Sequence, residues 1–376
     1  MFRPISVKMN AQLSKTERKK EGIFITPLKV RQRLFDVSRP HVQPRSILEP
    51  SFGTGEFLLD AQEQFPSATL TGVEKNTALF NSFSSDKMTL ICADFLEWKG
   101  GTFDFIVANP PYFVMETEEK FTYMSRPNIY ILFLYKCLTQ HLAPNGVMSF
   151  VIPTSIYNCS YYQGMRDYLY EHTTILHVET LEKPGFKDTA QKTCLLVLQQ
   201  GKKNDNFWFR RNYNYLSPHA EELTKLTRNT TTLAELGLKV KTGNVVWNQH
   251  KSNLSDSGTL LLYASNLTAS ELTFPPLAAP KQQYVKGLKK PTLKGRFILA
   301  SRGYGNSSTF HAVDVSFPEF YAENHINVIY SPEGNTEAFE RVLRTFHGTL
   351  GQTFMTLFIG NGAMSSKELE TIFPIE

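Results

Sequence analysis

Between residues 45 and 200, short apolar runs alternate with stretches of helical character. The runs extend from "RSILEP" to "TCLLVLQ", and candidate helices lie between them at 55–65, 128–142 and 161–171. This alternation predicts an α/β fold, with a mostly parallel, Rossmann-like sheet covered by helices on both faces. The last two runs, 174–180 and 192–199, are too close together for a crossover helix. They therefore predict an antiparallel edge.

After Gln200 the alternation stops at the polar segment "GKKNDN". The remaining residues are richer in Asn, Thr and Gly and show no clear repeat, which favours a separate α+β domain of moderate regularity. We therefore predict two domains, 1–203 and 204–376, of which the second is the smaller.

The chain of 376 residues is 41% hydrophobic and 20% charged, as is typical of soluble globular proteins. No apolar run approaches a membrane span, and the polar, basic N-terminus is unlike a secretory signal. We therefore expect a cytoplasmic protein, intracellular in a prokaryote or a virus-infected host, with no membrane partner. The four cysteines and nine histidines show no metal-ligand spacing, so no metal is expected. Nothing indicates an oligomer, and a monomer is expected.

Positive charge is concentrated in two segments, although the net charge is only +5. Residues 1–20 carry six Lys or Arg and one acid, and residues 281–302 carry seven basic residues and no acid. Uncompensated clusters of this kind fit a polyanionic partner. The alternative is a solvated, solubilising surface.

The tetrad Asn109-Pro110-Pro111-Tyr112 ends the apolar run "FDFIVAN" and matches the chemistry of methylating an exocyclic amine. Such an amine is a poor nucleophile because its lone pair is delocalised into the ring. An Asn oxygen and a backbone carbonyl can each accept one N–H, which localises the lone pair. The prolines stiffen the turn, and a tyrosine ring can stack on a base. The alternative is an ordinary turn at a strand end.

A glycine turn or an acidic residue also follows each of the three preceding strand candidates. Gly53 and Gly55 permit a tight turn after the first strand, Glu74 ends the second, and Asp94-Phe95 follow the third. Open α/β sheets bind ligands at this rim, where a carboxylate can hold ribose hydroxyls. Each acid could instead cap the following helix.

Thr26 stands just before Pro27 and an amphipathic stretch. It could be the N-cap of a helix that has Pro27 at its first position. It could equally hold a ligand carboxylate through its hydroxyl.

The order of these motifs resembles the gamma-class N6-adenine DNA methyltransferases. In that family a Thr-Pro segment is followed by the glycine turn, the acids and Asn-Pro-Pro-Tyr, and then by a target-recognition domain. Here "GIFITP", "LEPSFGTGEFL", "GVEKN", "CADF" and "ANPPY" stand in that order. The match covers roughly residues 20–200 well and is looser beyond, where "VKTG" and "ASRGYG" correspond. Ile25 departs from the family, which often has an aromatic residue there.

The resemblance implies S-adenosylmethionine as the cofactor. Its carboxylate would lie at Thr26, its methionine moiety beside Glu49 and Ser51, its ribose at Glu74, and its adenine at Asp94 and Phe95, with Gly53 and Gly55 forming the turn.

The resemblance also implies roles at the target base. Asn109 and the Pro110 carbonyl would hold the amine, with Pro111 stiffening the turn. Tyr112 would stack on one face of the base and Phe186 on the other. Phe186 could equally plug an edge of the core.

Double-stranded DNA is the expected partner. The basic stretch 281–302 is expected to contact its backbone, and loops at "VKTGNVVWNQ" and "SRGYGNSS" to reach base edges, although both loops could be ordinary surface turns. The residues expected at this interface are Lys241, Asn244, Lys289, Lys290, Lys294 and Arg302.

The predicted function is that of a site-specific DNA methyltransferase, which methylates N6 of a flipped adenine as the modification enzyme of a restriction-modification system. Two alternatives remain at this stage. The same tetrad could act on RNA or on a protein glutamine, or the chain could be a catalytically inactive DNA-binding specificity module.

Overall fold

A computed structural model describes residues 2–117, 119–182, 185–186, 191–201, 204–269, 271–302, 310–358 and 363–376. The chain divides into two compact units, Met1–Glu221 and Glu222–Glu376. Within the described ranges, no helix is both long and apolar enough to cross a membrane.

The first unit alternates helices and strands. Its helices are α1 (Pro4–Gln12), α2 (Lys15–Glu21), α3 (Leu28–Ser38), α4 (Glu56–Gln64), α5 (Thr77–Ser82), α6 (Ile129–Lys136) and α7 (Gln163–His172). Its strands are β1 (Ser46–Glu49), β2 (Thr69–Glu74), β3 (Met88–Cys92), β4 (Phe103–Ala108), β5 (Leu142–Pro153), β6 (Thr173–Thr180), β7 (Thr193–Gln200), β8 (Trp208–Arg210) and β9 (Asn214–Leu216).

Strands β1 to β7 form one sheet in the order β3-β2-β1-β4-β5-β7-β6. All neighbouring pairs are parallel except those of β7, which runs antiparallel to both β5 and β6. The prediction of a mostly parallel sheet with an antiparallel edge is confirmed. The reversed strand is β7, one place in from the edge.

Central strand β4 shows why this sheet is covered on both faces. Phe105 and Val107 belong to one hydrophobic cluster, and Ile106 and Ala108 to another. All four side chains are fully buried. Because successive side chains of a strand point to opposite faces, a continuous apolar run of this kind requires helices on each side.

The hairpin of β8 and β9 extends the first unit beyond the predicted boundary at residue 203. Trp208 and Leu216 are buried in the same core as the sheet. The compact unit therefore ends at Glu221, 18 residues later (221 − 203). The assignment of catalytic and target-recognition roles to the two parts stays a prediction.

The second unit is a smaller α+β structure. Following α8 (Ala220–Thr227), which begins in the first unit, its elements are β10 (Lys239–Thr242), β11 (Leu254–Ser255), β12 (Thr259–Leu262), β13 (Tyr284–Val285), β14 (Leu293–Ser301), β15 (Ala312–Ala322), β16 (Ile326–Tyr330), α9 (Phe339–His347), α10 (Thr349–Phe358) and α11 (Ser366–Thr371). Its sheet has the order β10-β16-β14-β15-β12-β13-β11. The pairing is antiparallel except between β12 and β15.

Candidate active site

A cavity of about 510 Å³ lies in the first unit, at the carboxyl ends of β1, β2 and β4 and beside the loop that follows β3. This is the rim at which open parallel sheets bind ligands. Nine of the predicted catalytic and cofactor residues line it: Thr26, Glu49, Ser51, Gly53, Glu74, Asp94, Phe95, Asn109 and Pro111.

The glycine turn between β1 and α4 has the backbone that its sequence suggested. Gly53 and Gly55 both adopt left-handed conformations, with φ of +56° and +75°. A Cβ on Gly55 would lie 2.7 Å from the ring of Phe83, so only glycine lets the chain pass there. Gly55 is also the residue directly before α4.

Two buried carboxylates face the cavity. Glu74 accepts hydrogen bonds from the amides of Gly53 (2.8 Å) and Asn76 (2.7 Å). Glu49 accepts one from the amide of Leu58 (3.1 Å). Burial raises the pKa of Glu74, and it raises the pKa of Glu49 well above its usual range. Both groups would therefore gain from a cation or hydroxyl donors in the cavity.

The loop after β3 places Asp94 and Phe95 on another wall. Asp94 accepts hydrogen bonds from the amide of Leu96 (2.9 Å) and from the Lys75 ammonium (2.6 Å). Phe95 is buried, and its ring centre lies 4.9 Å from that of Phe133.

The sequence reasoning missed Lys136, a buried lysine that fastens this loop. Its ammonium donates to the carbonyl oxygens of Leu96 and Trp98, both at 2.7 Å, and lies 5.3 Å from the ring centre of Phe95. A usable signal was present, because Lys136 is the only charged residue in the helical run "NIYILFLYKC". A buried ammonium of this kind needs acceptors close at hand.

Asn109 follows β4 and is held by two hydrogen bonds from its amide nitrogen. The nitrogen donates to the Phe24 carbonyl (3.0 Å) and to Thr26 Oγ1 (2.9 Å). Its oxygen accepts a hydrogen bond from the hydroxyl of Tyr112. That hydroxyl also lies 2.6 Å from the carbonyl oxygen of Val151. Tyr112 is thus half-buried and turned toward the sheet, and neither it nor Pro110 lines the cavity.

Of the two alternatives for Thr26, the N-cap is excluded. Helix α3 begins at Leu28, the residue before it is Pro27, and no side chain caps it. Thr26 instead uses Oγ1 as the acceptor for Asn109, because its position in the extended segment before Pro27 aims it at the cavity. Its carbonyl accepts from the buried guanidinium of Arg31 (2.6 Å).

The segment 20–23 also lines the cavity, which the sequence reasoning did not foresee. Glu21 accepts a hydrogen bond from the side chain of Asn76 (2.7 Å). Gly22 has φ of +68°, and a Cβ there would lie 2.7 Å from Cβ of Pro111. The N-terminal segment therefore reaches from the start of α5 to the tetrad.

Phe186 is half-buried and packs against the hydrophobic cluster that contains Val30 and Leu34. This is the arrangement in which it plugs an edge of the core. It does not line the cavity, and residues 183–184 and 187–190 around it lie outside the described ranges. Its role toward a base stays a prediction.

In the second unit, several of the residues expected at DNA make internal contacts. Lys241 lies 4.8 Å from the ring centre of Tyr330. Asn244 donates to Pro291 O (2.9 Å), and its own carbonyl accepts from Lys290 (2.5 Å). Arg302 donates to the backbone oxygens of Asn324 and Met364. Lys289 and Lys294 are exposed, with Lys294 3.9 Å from Glu319.

Within the parts of the chain that the structure covers, no three His, Cys, Asp or Glu side chains are arranged to hold a metal ion. The sheet order, the single reversed strand and the polar rim define a Rossmann-like methyltransferase fold.

Comparison with known proteins identifies the family to which this fold belongs. Residues 52–186 match the profile of the Eco57I restriction-modification methylase family. The modification methylase CviBIII of Paramecium bursaria Chlorella virus NC1A is 30% identical over 389 residues, covering 99% of this chain and 98% of that protein. The type II methyltransferase M.CvrRI of Paramecium bursaria Chlorella virus XZ-6E is 26% identical over 99% of this chain and 98% of its own.

A third relative matches a smaller part. The tRNA1(Val) (adenine(37)-N6)-methyltransferase of Glaesserella parasuis is 31% identical over 121 residues, which is 29% of this chain and 52% of that protein. Because the match to CviBIII extends over nearly both whole chains, this protein belongs to the restriction-modification methylases, DNA methyltransferases that use S-adenosylmethionine.

The cavity suits this cofactor on chemical grounds. Ser51 Oγ is buried and has no hydrogen-bond partner in the described structure, so a polar ligand group would satisfy it. Glu49 and Glu74 supply negative charge for a molecule that carries an ammonium and a sulfonium. Phe95 supplies an apolar wall for a flat ring.

Proposed function

We propose that this chain methylates N6 of an adenine extruded from duplex DNA. One observation carries the proposal: Asn109 borders the cavity with its amide nitrogen bonded inward, to Phe24 O and Thr26 Oγ1. With both amide hydrogens engaged, the group that remains to meet a substrate is the acceptor oxygen. An acceptor fixed in this way suits a substrate that donates, as an exocyclic amine does.

In this proposal the Asn109 oxygen and the Pro110 carbonyl each accept one hydrogen of the target amine. The lone pair is then localised on nitrogen and directed at the methyl group, which the cofactor supplies when bound. The Asn109 oxygen has two lone pairs and the Tyr112 hydroxyl uses one of them, so the other accepts from the amine. That hydroxyl has Val151 O as a second acceptor at 2.6 Å.

In this proposal, residues of the chain also bind the cofactor and fix its orientation. The roles that we propose are Thr26 at the carboxylate, Glu49 and Ser51 at the methionine moiety, Gly53 and Gly55 in the turn, Glu74 at the ribose, and Asp94 with Phe95 at the adenine. Support comes from the placement of all these residues except Gly55 on one cavity.

Extrusion of a base from the duplex costs a few kcal/mol. Stacking on an aromatic ring returns roughly 1–3 kcal/mol per base. We propose Tyr112 and Phe186 as the rings, and Pro111 as the residue that keeps the turn stiff. Contacts to the DNA backbone from the exposed Lys289 and Lys294 would supply further binding energy, whereas Lys290 and Arg302 donate to carbonyl oxygens within the fold. Lys241 and Asn244 are proposed to reach base edges.

A second candidate is methylation of an adenine in RNA, favoured by the partial match to the tRNA adenine-N6 methyltransferase. The two modification methylases match over nearly the whole chain, including the second unit, and this supports DNA.

The test is methylation of plasmid DNA by the purified chain, followed by single-molecule sequencing, with total RNA as a parallel substrate. We expect N6-methyladenine in one sequence context. Modification of RNA alone, or N4-methylcytosine in the DNA, would overturn the proposal.

The role of Asn109 is tested with the variant Asn109→Ala. It should abolish transfer while changing cofactor binding only about five-fold, because the lost bond to the Thr26 hydroxyl is worth about 1 kcal/mol. Turnover at the wild-type rate would refute the role of Asn109.

A further inference from the structure

Residues 274–280, between β12 and β13, form an exposed apolar loop in the second unit. All seven residues of "FPPLAAP" are apolar, and all but Leu277 are exposed. Phe274 is 55% exposed and is the only exposed phenylalanine in the described part of the chain. A run of exposed apolar residues this long is unfavourable in water and usually has a function.

This loop is held in place at its first end. Asn266, which is fully buried, donates from its side chain to Thr273 O (2.9 Å). The amide of Thr273 in turn donates to Asn266 O (2.8 Å). Phe274 therefore follows a residue, Thr273, whose backbone amide and carbonyl are both hydrogen-bonded to the buried Asn266.

The second end is fixed as well. The amide of Lys281 donates to Ala278 O (3.0 Å), and its ammonium lies 5.1 Å and 5.0 Å from the ring centres of Trp247 and Tyr263. Three of the seven residues are prolines, which fix their own φ angles. A loop ordered in advance loses little entropy when it binds a partner.

The segment that follows the loop in the chain is basic, and this indicates the chemistry of the partner. Residues 281–294 contain five lysines and no acid, and Lys286, Lys289 and Lys294 are exposed. A basic segment next to an apolar loop in the chain fits duplex DNA, in which lysines contact phosphates and apolar side chains can be inserted between base steps.

We propose that the loop 274–280 is a wedge that enters the base stack of duplex DNA, with Phe274 stacked against a base pair. Phenylalanine, leucine and proline are the residues that proteins insert between base steps. The inference rests on the proposed action on duplex DNA, and goes beyond it by naming an element of the second unit that enters the base stack.

The experiment uses the full chain and a duplex containing the sequence that the wild type methylates in plasmid DNA. Phe274→Ala should weaken binding roughly ten-fold, the lower part of the range for one aromatic–base stack. Because the lost contact is uncharged, the slope of log affinity against log salt should not change. The control Lys286→Ala removes a charge instead, and should lower that slope by about one unit.

Phe274→Trp tests insertion directly. Its fluorescence should be quenched by the duplex beyond the change given by Trp98, Trp208 and Trp247 in the wild type. Wild-type affinity for Phe274→Ala together with no added quenching in Phe274→Trp would overturn the wedge. Self-association that Phe274→Ala abolishes without DNA would show instead that the loop joins two copies of the chain. If the wild type neither binds nor methylates the plasmid, the proposed function fails, and not only the wedge.

Discussion

At the level of single side chains, Tyr112 connects the tetrad to the sheet. Its hydroxyl lies between two acceptors, Asn109 Oδ1 and Val151 O, but carries only one hydrogen. We expect Tyr112→Phe to retain the methylation rate within a few-fold, because the ring stays and the Asn109 oxygen is uncovered. It should cost about 1 kcal/mol of stability, since Val151 O loses a donor. Single-turnover methylation and urea unfolding measure the two effects.

The control for that substitution is Tyr112→Ala, which removes the ring as well. Loss of one stacking partner should weaken binding of the target by roughly 1–3 kcal/mol, or about 5-fold to 150-fold. If Tyr112→Phe were as inactive as Tyr112→Ala, the hydroxyl would take part in transfer and the stacking role would be wrong.

Lys136 should set the selectivity of the cavity for adenine. It holds the loop that carries Asp94 and Phe95 through two backbone carbonyls. We expect Lys136→Met to bind S-adenosylhomocysteine and S-inosylhomocysteine with similar affinity. The wild type should prefer the first by about ten-fold or more, because its amine can donate to a carboxylate. Calorimetry on both ligands measures this.

The exposed neighbour Lys99 supplies the matched variant, Lys99→Met, which should leave the selectivity unchanged. A Lys136→Met protein that lost stability but kept the wild-type preference would have a structural role only.

Glu49 gives the apoprotein a dependence on pH. Burial raises the pKa of Glu49 in the folded state, whereas the unfolded chain releases this proton near pH 4.5. The folded state therefore holds more protons, and its stability falls as the pH rises from about 4.5 toward the raised pKa. Glu49→Gln cannot ionise, so it should be more stable than the wild type at neutral pH.

Unfolding in urea at a series of pH values measures this difference, which should vanish toward pH 4. Glu49→Gln should also bind the cationic cofactor less tightly. A difference in stability that did not change with pH would show that ionisation of Glu49 is not the cause.

At the level of helices and strands, the sequence predicted the features that depend on residues close together in the chain. Apolar runs located the strands, and polar groups at their ends located the rim that carries Glu74, Asp94 and Asn109. Contacts between distant segments could not be predicted in the same way. The bond from Asn109 to Thr26 joins residues 83 positions apart, and no local pattern encodes it. The N-cap alternative for Thr26 rested on local sequence, and it is excluded because α3 begins one residue later than it required.

Helices α3 and α4 are joined by a buried ionic network that supports Thr26. Arg31, 1% exposed, bonds to Glu56 (2.7 Å) and to Asp60 (2.5 Å). Arg31→Met would leave two buried carboxylates without this partner, which should cost about 3–5 kcal/mol of stability. Arg33→Met on the same helix removes an exposed pair with Glu179 and should cost at most about 1 kcal/mol.

Denaturant unfolding of both variants measures the comparison. Equal losses for Arg31→Met and Arg33→Met would mean that the network does not join the two helices.

For the whole chain, composition located the basic segment, but it did not show which of its side chains bond within the fold and which are exposed. Arg302 was expected at DNA, yet its guanidinium bonds to two backbone carbonyls. Lys290 likewise bonds to Asn244 O, whereas the adjacent Lys289 is exposed. Whether a lysine is used inside the fold depends on which carbonyl comes within reach of its ammonium, and a run of basic residues does not encode that.

Lys289 and Lys290 therefore make a matched pair, since they share charge, size and position in the chain. Lys289→Ala should leave the melting temperature unchanged and reduce the salt slope of duplex binding by about one unit, because one phosphate contact is lost. Lys290→Ala should lower the melting temperature instead, because Asn244 O loses its donor. Binding titrations at several salt concentrations, together with thermal unfolding, separate the two effects. An unchanged salt slope in Lys289→Ala would remove this residue from the DNA interface, and an unchanged melting temperature in Lys290→Ala would show that its internal bond does not stabilise the fold.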